Sequence, residues 1–113
     1  MRNVTKGRME ELIREKLAFI FEREINDRDL KFFSITEVLL SKDRNRADIY
    51  YDIYIQENNR EEIKRKLDKM SGYLRKRIGN VIKIRKVPSL VFILDKRVEM
   101  EENIENILKK DKD

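Results

Sequence analysis

Apolar residues recur at three- and four-residue steps through Met9, Leu12, Ile13, Leu17, Ile20 and Phe21. That period predicts an amphipathic helix over about residues 4–25. Thr5 is placed to cap its start, and Gly7 lies too near that end to break it. "NDRDL" then supplies turn chemistry. Beyond it the period shortens. "FFSITEVLLS" is rich in β-branched and aromatic residues, and its alternation falters near Glu37, which predicts a strand with a bulge. After the polar tip "KDRNR", the run "ADIYYDIYI" alternates cleanly. Ala47, Ile49, Tyr51, Ile53 and Ile55 share one face, and Asp48, Tyr50, Asp52 and Tyr54 share the other. Two such strands joined by a short polar tip form an antiparallel hairpin.

A second helical stripe runs through Ile63, Leu67, Met70, Leu74 and Ile78, with Asn58 or Asn59 as its cap and Gly79 as its C-terminal stop. Ser71-Gly72 interrupts it. A glycine inside a helix costs about 1 kcal/mol relative to alanine, and a Gly/Ser pair is a recognised cause of a kink. Residues 81–94 then read as a third strand, in one or two pieces, with Pro88 at an edge or between them. "KRVEMEENIENILKK" has acids early and lysines late, as a helix dipole favours. It predicts a C-terminal helix and frayed tail over 96–113. The expected fold is α+β and occupies 1–113 as a single domain. Its order is helix, strand, strand, kinked helix, strand, with a C-terminal helix. Burying these stripes needs a three-stranded sheet covered by helices on one face.

Composition narrows the chemistry. The 113 residues contain no cysteine and no histidine. Thiolate sites, disulfides and histidine-based catalysis or metal ligation are thereby excluded. No nucleophile–base pair stands out, and the chain is read as a non-enzyme without cofactors. The longest apolar runs are too short for a bilayer, and the start lacks a signal-peptide core, so a soluble cytoplasmic protein is expected; a monomer is expected as well, with no residue pattern that points to a particular oligomer. Charge is uneven. The whole chain carries +5, whereas residues 60–86 hold eleven basic and three acidic residues. Such a field suits a polyanion. The competing reading is a solvated face in a Lys/Glu-rich chain.

After Asp68 the stretch "KMSGYLRKRIGNVIKIRK" contains no acid. Lys69, Arg75, Lys76, Arg77, Lys83, Arg85 and Lys86 are its cations, and Ser71 and Gly72 would let a phosphate approach the backbone. These nine residues form the candidate RNA-binding set. On this reading the kink re-aims Arg75, Lys76 and Arg77, a second half-helix that began afresh there would offer its first amides to an anion, and Lys83 and Arg85 project from one strand face. Tyr73 could stack a base, although packing beside the buried stripe is the stronger reading. Arg44 and Arg46 at the hairpin tip could add an RNA contact or simply be solvated. Asp48 and Asp52 would stand about 13 Å apart on an extended strand, too far to converge on Mg²⁺.

The order helix–strand–strand–helix–strand resembles the type II KH fold. Four segments resemble one family more closely. "MRNVTKGRMEELIREKLAFIFEREINDRDL" is similar to the opening helix of bacterial ribosome-binding factor A. "SITEVLLSKDRNRADIYYDIY" is similar to its hairpin, "MSGYLRKRIGNVIKIRKVPSLVFILD" to its signature region, and "NIENIL" to its closing helix. The resemblance covers roughly Asn3 to Leu108. It implies a kinked helix centred on Ala-x-Gly, here Met70-Ser71-Gly72, with Met in place of the family's usual Ala. It implies a non-catalytic factor that binds the small ribosomal subunit and its rRNA and assists late rRNA processing and maturation, including in cold adaptation. A ribosome-associated GTPase as release factor follows by the same analogy. The alternative is a protein-interaction module that uses the basic surface and a sheet edge to bind an acidic partner.

Overall fold

The structure is a computed structural model that describes residues 4–30, 33–53 and 60–96. Helix α1 spans Lys6–Arg23, followed by a short 3₁₀ turn at Arg28–Leu30. Strands β1, Phe33–Leu40, and β2, Arg46–Ile53, form the hairpin. Helix α2 spans Arg60–Ile82, and strand β3 spans Ser89–Leu94. The expected order of elements is present. The Asn58/Asn59 cap, Tyr54 and Ile55, and the C-terminal helix beyond Lys96 lie outside the described residues.

Thr5 caps α1 as its side chain predicts: the hydroxyl oxygen accepts the Arg8 N–H at 3.1 Å. The sheet order is β1-β2-β3, with β1 antiparallel and β3 parallel to β2. A parallel pair needs a crossover, which α2 supplies. The register of β1 slips between Ile35 and Glu37, which locates the expected bulge at Thr36. The extra residue is used: its hydroxyl donates to the Asp95 carboxylate at 2.6 Å, linking the edge strand to the residue just past β3.

Ala47, Ile49 and Tyr51 on β2 and Phe92 on β3 point into one core with Ile13, Leu17 and Ile20 of α1 and Ile63, Leu67, Leu74 and Ile78 of α2. Both helices therefore cover the same sheet face. An aromatic file crosses that core, with ring centroids 4.6 Å apart for Phe21–Phe33, 5.3 Å for Phe33–Tyr51 and 6.4 Å for Tyr51–Phe92. On the opposite sheet face Leu39 and Val91 are exposed.

Three expectations about the second helix are corrected. First, α2 runs through Ser71-Gly72 without a break, so no second half-helix starts there and no fresh amides are offered to an anion. The Ser71 hydroxyl instead donates to the Asp68 carbonyl at 2.9 Å, a back-bond that helices tolerate with at most a bend. Second, Gly79 does not stop the helix. It lies inside α2, and a Cβ there would meet Val87 Cγ2 at 2.9 Å, so the glycine is needed for close packing. Lys83 takes the left-handed position instead, with φ 59° and its N–H donating to the Gly79 carbonyl at 3.0 Å. Third, residues 83–88 form a loop rather than strand, so Lys83 and Arg85 do not share a strand face.

Candidate nucleic-acid interface

The buried stripe of α2 fixes where its remaining side chains point. With 3.6 residues per turn, the face opposite Ile63, Leu67, Leu74 and Ile78 carries Arg65, Lys69, Gly72 and Lys76. Lys83 continues that row just past the helix end. All five residues are exposed. Arg85 and Lys86, also exposed, extend the basic surface into the loop. Among the described residues, the side chains of Arg65, Lys69, Lys76, Lys83, Arg85 and Lys86 make no hydrogen bond or ion pair, and the Lys83 bond to Gly79 is from its backbone. Gly72 sits in the middle of the row, where a Cβ would meet nothing within 4 Å.

The other two arginines of the sequence set are engaged within the fold, one on each flank of α2. Arg75 donates from Nε to the Pro88 carbonyl at 3.2 Å and from Nη2 to the Val87 carbonyl at 3.1 Å. It clamps the α2–β3 loop. Arg77 grips Glu24 bidentately, at 2.7 and 3.0 Å, across the seam between the helices. The hydrogen bond from Arg77 holds the Glu24 carboxyl below its ordinary 4.5, against the opposing effect of burial, and the Tyr73 hydroxyl adds a weaker bond at 3.3 Å. Glu24 in turn raises Arg77. Tyr73 does not pack into the core; it stays 47% exposed at the outer edge of that seam.

Arg65 is missing from the sequence-derived set. Its signal was available: stepping back four residues from Lys69 along the same period reaches it. At the hairpin tip, Arg46 is paired with Asp48 at 3.1 Å, whereas Arg44 donates to the Val4 carbonyl at 2.9 Å and projects from a left-handed backbone, φ 61°. Both sheet edges carry side-chain caps. The Glu10 carboxylate accepts the Leu40 N–H at 2.7 Å on the β1 edge, and Lys64 Nζ donates to the Phe92 carbonyl at 2.7 Å on the β3 edge. Among the described residues no cluster of three or more His, Cys, Asp or Glu is arranged to hold a metal ion, and no helix is long and apolar enough to cross a membrane.

A mixed sheet with a bare cationic helix face is common to many nucleic-acid binders, so the comparison with known proteins decides the lineage. A family model described as ribosome-binding factor A matches residues 5–108. The chain belongs to the ribosome-binding factor A family. It is 33% identical over 113 residues to ribosome-binding factor A of Halothermothrix orenii, spanning 100% of this chain and 93% of that one. It is also 33% identical over 108 residues to the Coxiella burnetii protein, covering 92% and 90%. The crystal structure of ribosome-binding factor A from Thermus thermophilus superposes with a TM-score of 0.72 at 23% identity, over 80% of this chain and 97% of that one. The solution structure of a Thermotoga maritima ribosome-binding factor A gives 0.61 at 25% identity, over 81% and 84%. A Thermus thermophilus ribosome-binding factor A homology model fitted into the cryo-EM map of a 30S complex also superposes, with a TM-score of 0.69 at 22% identity over 80% and 96%.

Proposed function

We propose that this chain, as a single KH-like unit, binds the small ribosomal subunit through its rRNA. It assists late rRNA processing and subunit maturation, including in the cold, without catalysing bond chemistry. The observation that carries this reading is the row Arg65, Lys69, Lys76 and Lys83 on the outer face of α2, with Gly72 open between the two central lysines. Cations that the fold leaves unpaired keep their full charge for phosphate, while Gly72 lets a sugar–phosphate backbone come close to the helix. Arg85 and Lys86 extend the contact. Ser71, Arg75 and Arg77 serve as supports: two brace α2 against its neighbours and one bonds back into its own helix.

These contacts position RNA rather than read its sequence. Binding energy applied to one rRNA conformation shifts its population, which is an assembly function without a chemical step. The factor acts in the cytoplasm as a monomer and leaves when that conformation is complete, with a ribosome-associated GTPase as a candidate release partner. The 30S complex of a family member supports this choice of target. Strand addition at a sheet edge, the alternative, is disfavoured because Glu10 and Lys64 cap the β1 and β3 edges.

Cosedimentation through a sucrose gradient tests the reading. The native chain is expected with free small subunits and their precursors in preference to full ribosomes. Lys69→Glu with Lys76→Glu should reduce that binding at least 100-fold while leaving the melting midpoint within a degree or two of native. Each neutralised phosphate contact should lower the magnitude of the salt slope by about 0.7–0.9. An even distribution across the gradient, or undiminished binding by the double variant, refutes the proposal.

A further inference from the structure

A cavity of about 460 Å³ opens where the hairpin tip, the start of α1 and the α2–β3 loop meet. Its floor is apolar: Met9, Leu40, Ile84 and Pro88 contribute, with Val4 at one side. Its rim is polar, formed by Asp43, Arg44, Asn45 and Lys86. The volume is that of a small-ligand site, and the apolar floor with a polar, charged rim suits a ligand that has flat apolar faces and a polar edge. We propose that it receives one unstacked nucleobase of single-stranded RNA, with the flanking phosphate on Lys86 and Arg85. The proposal rests on the RNA reading of the α2 face and adds to it a place where a base is held.

Three observations favour a base over another occupant. The first is continuity. The cationic row along α2 ends at Lys83, and the next residues, Ile84 to Pro88, carry Arg85 and form one wall of the cavity. A strand that follows the row arrives at the mouth. The second is the division of charge. The Asp43 carboxylate accepts from the Asn45 N–H at 3.0 Å, the Ser41 hydroxyl at 2.7 Å and the Asn45 side-chain amide at 3.0 Å. These bonds, the Asn45 backbone first, hold its carboxyl below the ordinary value, so it remains an anion. A phosphate is repelled from that side and kept at the basic lip. A nucleobase, neutral with flat apolar faces and a polar edge, is accepted.

The third is Arg44. Its φ of 61° is a conformation that glycine adopts freely and arginine does not. Its N–H donates to the Ser41 carbonyl at 2.9 Å, and Nη1 donates to the Val4 carbonyl at 2.9 Å, which pins the guanidinium across the side of the cavity. A guanidinium plane is a stacking surface for unpaired bases. The tip is thus held in its binding shape before RNA arrives, which lowers the ordering cost of binding.

Near-ultraviolet crosslinking of the full chain to an oligouridylate built from 4-thiouridine tests this. Adducts are expected at Met9, Leu40, Ile84 or Pro88 as well as on the outer face of α2. Arg44→Gly relieves the left-handed arginine, so its melting midpoint should equal or exceed native, while affinity for the oligonucleotide falls roughly five- to tenfold. An oligonucleotide of abasic sites should bind native and Arg44→Gly chains equally. Adducts confined to Arg65–Lys83, or unchanged affinity in Arg44→Gly, overturn the base site while leaving the α2 face intact. If no single-stranded RNA binds in a manner sensitive to Lys69 and Lys76, the RNA reading falls and this site with it. Adducts that form equally with an unrelated apolar photoprobe would mark a general apolar pocket and also overturn it.

Discussion

Gly72 and Gly79 stand seven residues apart on one helix and are there for opposite reasons. At Gly79 the fold presses inward: Val87 lies 2.9 Å from where a Cβ would stand, and Arg75 clamps that same loop through two carbonyls. The backbone needs the missing side chain in order to pack. At Gly72 nothing presses at all; the position is exposed and its surroundings are open. Glycine there loosens the helix without any gain inside the molecule. The cations beside the two glycines differ in the same way. Near the packed one, Arg75 and Arg77 are engaged by internal acceptors; around the open one, Lys69 and Lys76 are bare. The comparison separates what holds α2 in place from what α2 presents outward.

Substitutions sharpen that contrast. Gly79→Ala should have the largest effect on stability, about 1–2 kcal/mol of net destabilisation, because moving Val87 and its loop costs more than the helix gains from alanine. Urea unfolding measures it, and a neutral result would mean that the loop yields freely. The expected change at Gly72 is smaller and of the other sign. Gly72→Ala should stabilise the isolated protein by about 1 kcal/mol. In small-subunit cosedimentation the same variant should bind more weakly. Equal binding would show that nothing approaches the helix there. The smallest effect is a pH dependence. Glu24 is held below its ordinary 4.5 by Arg77, so the pair contributes stability above that value and loses it as pH falls through the folded value. The stability gap between native and Arg77→Ala chains should therefore be full near neutrality and close below about pH 4.5. A gap that persists at pH 2 would assign the effect of Arg77 to packing rather than charge.

Much of this was readable from local pattern. The α1 stripe with Thr5 as cap, the hairpin, and the bulge beside Glu37 all follow from side-chain period and turn chemistry, which act over a few residues. Residues 79–88 fit two periods. "VIKIRK" alternates as a strand does, yet Ile82 also stands four residues after Ile78 and is buried at the end of α2. Packing arbitrated. Val87 against Gly79 and the Arg75 clamp fold the chain back, and the β3 ladder is joined only at Ser89, whose N–H donates to the Asn45 carbonyl at 2.9 Å.

The candidate interface divides along the same line. Composition and spacing alone established a Lys/Arg-rich, acid-free stretch and its helical period, because both are properties of consecutive residues. Which of those cations are free was decided elsewhere. Glu24, 53 positions before Arg77, reaches it only once α1 and α2 are docked on the sheet. The carbonyls held by Arg75 converge only when the loop turns back. A charge is counted in the sequence, but its availability depends on what the fold brings within about 3 Å of it.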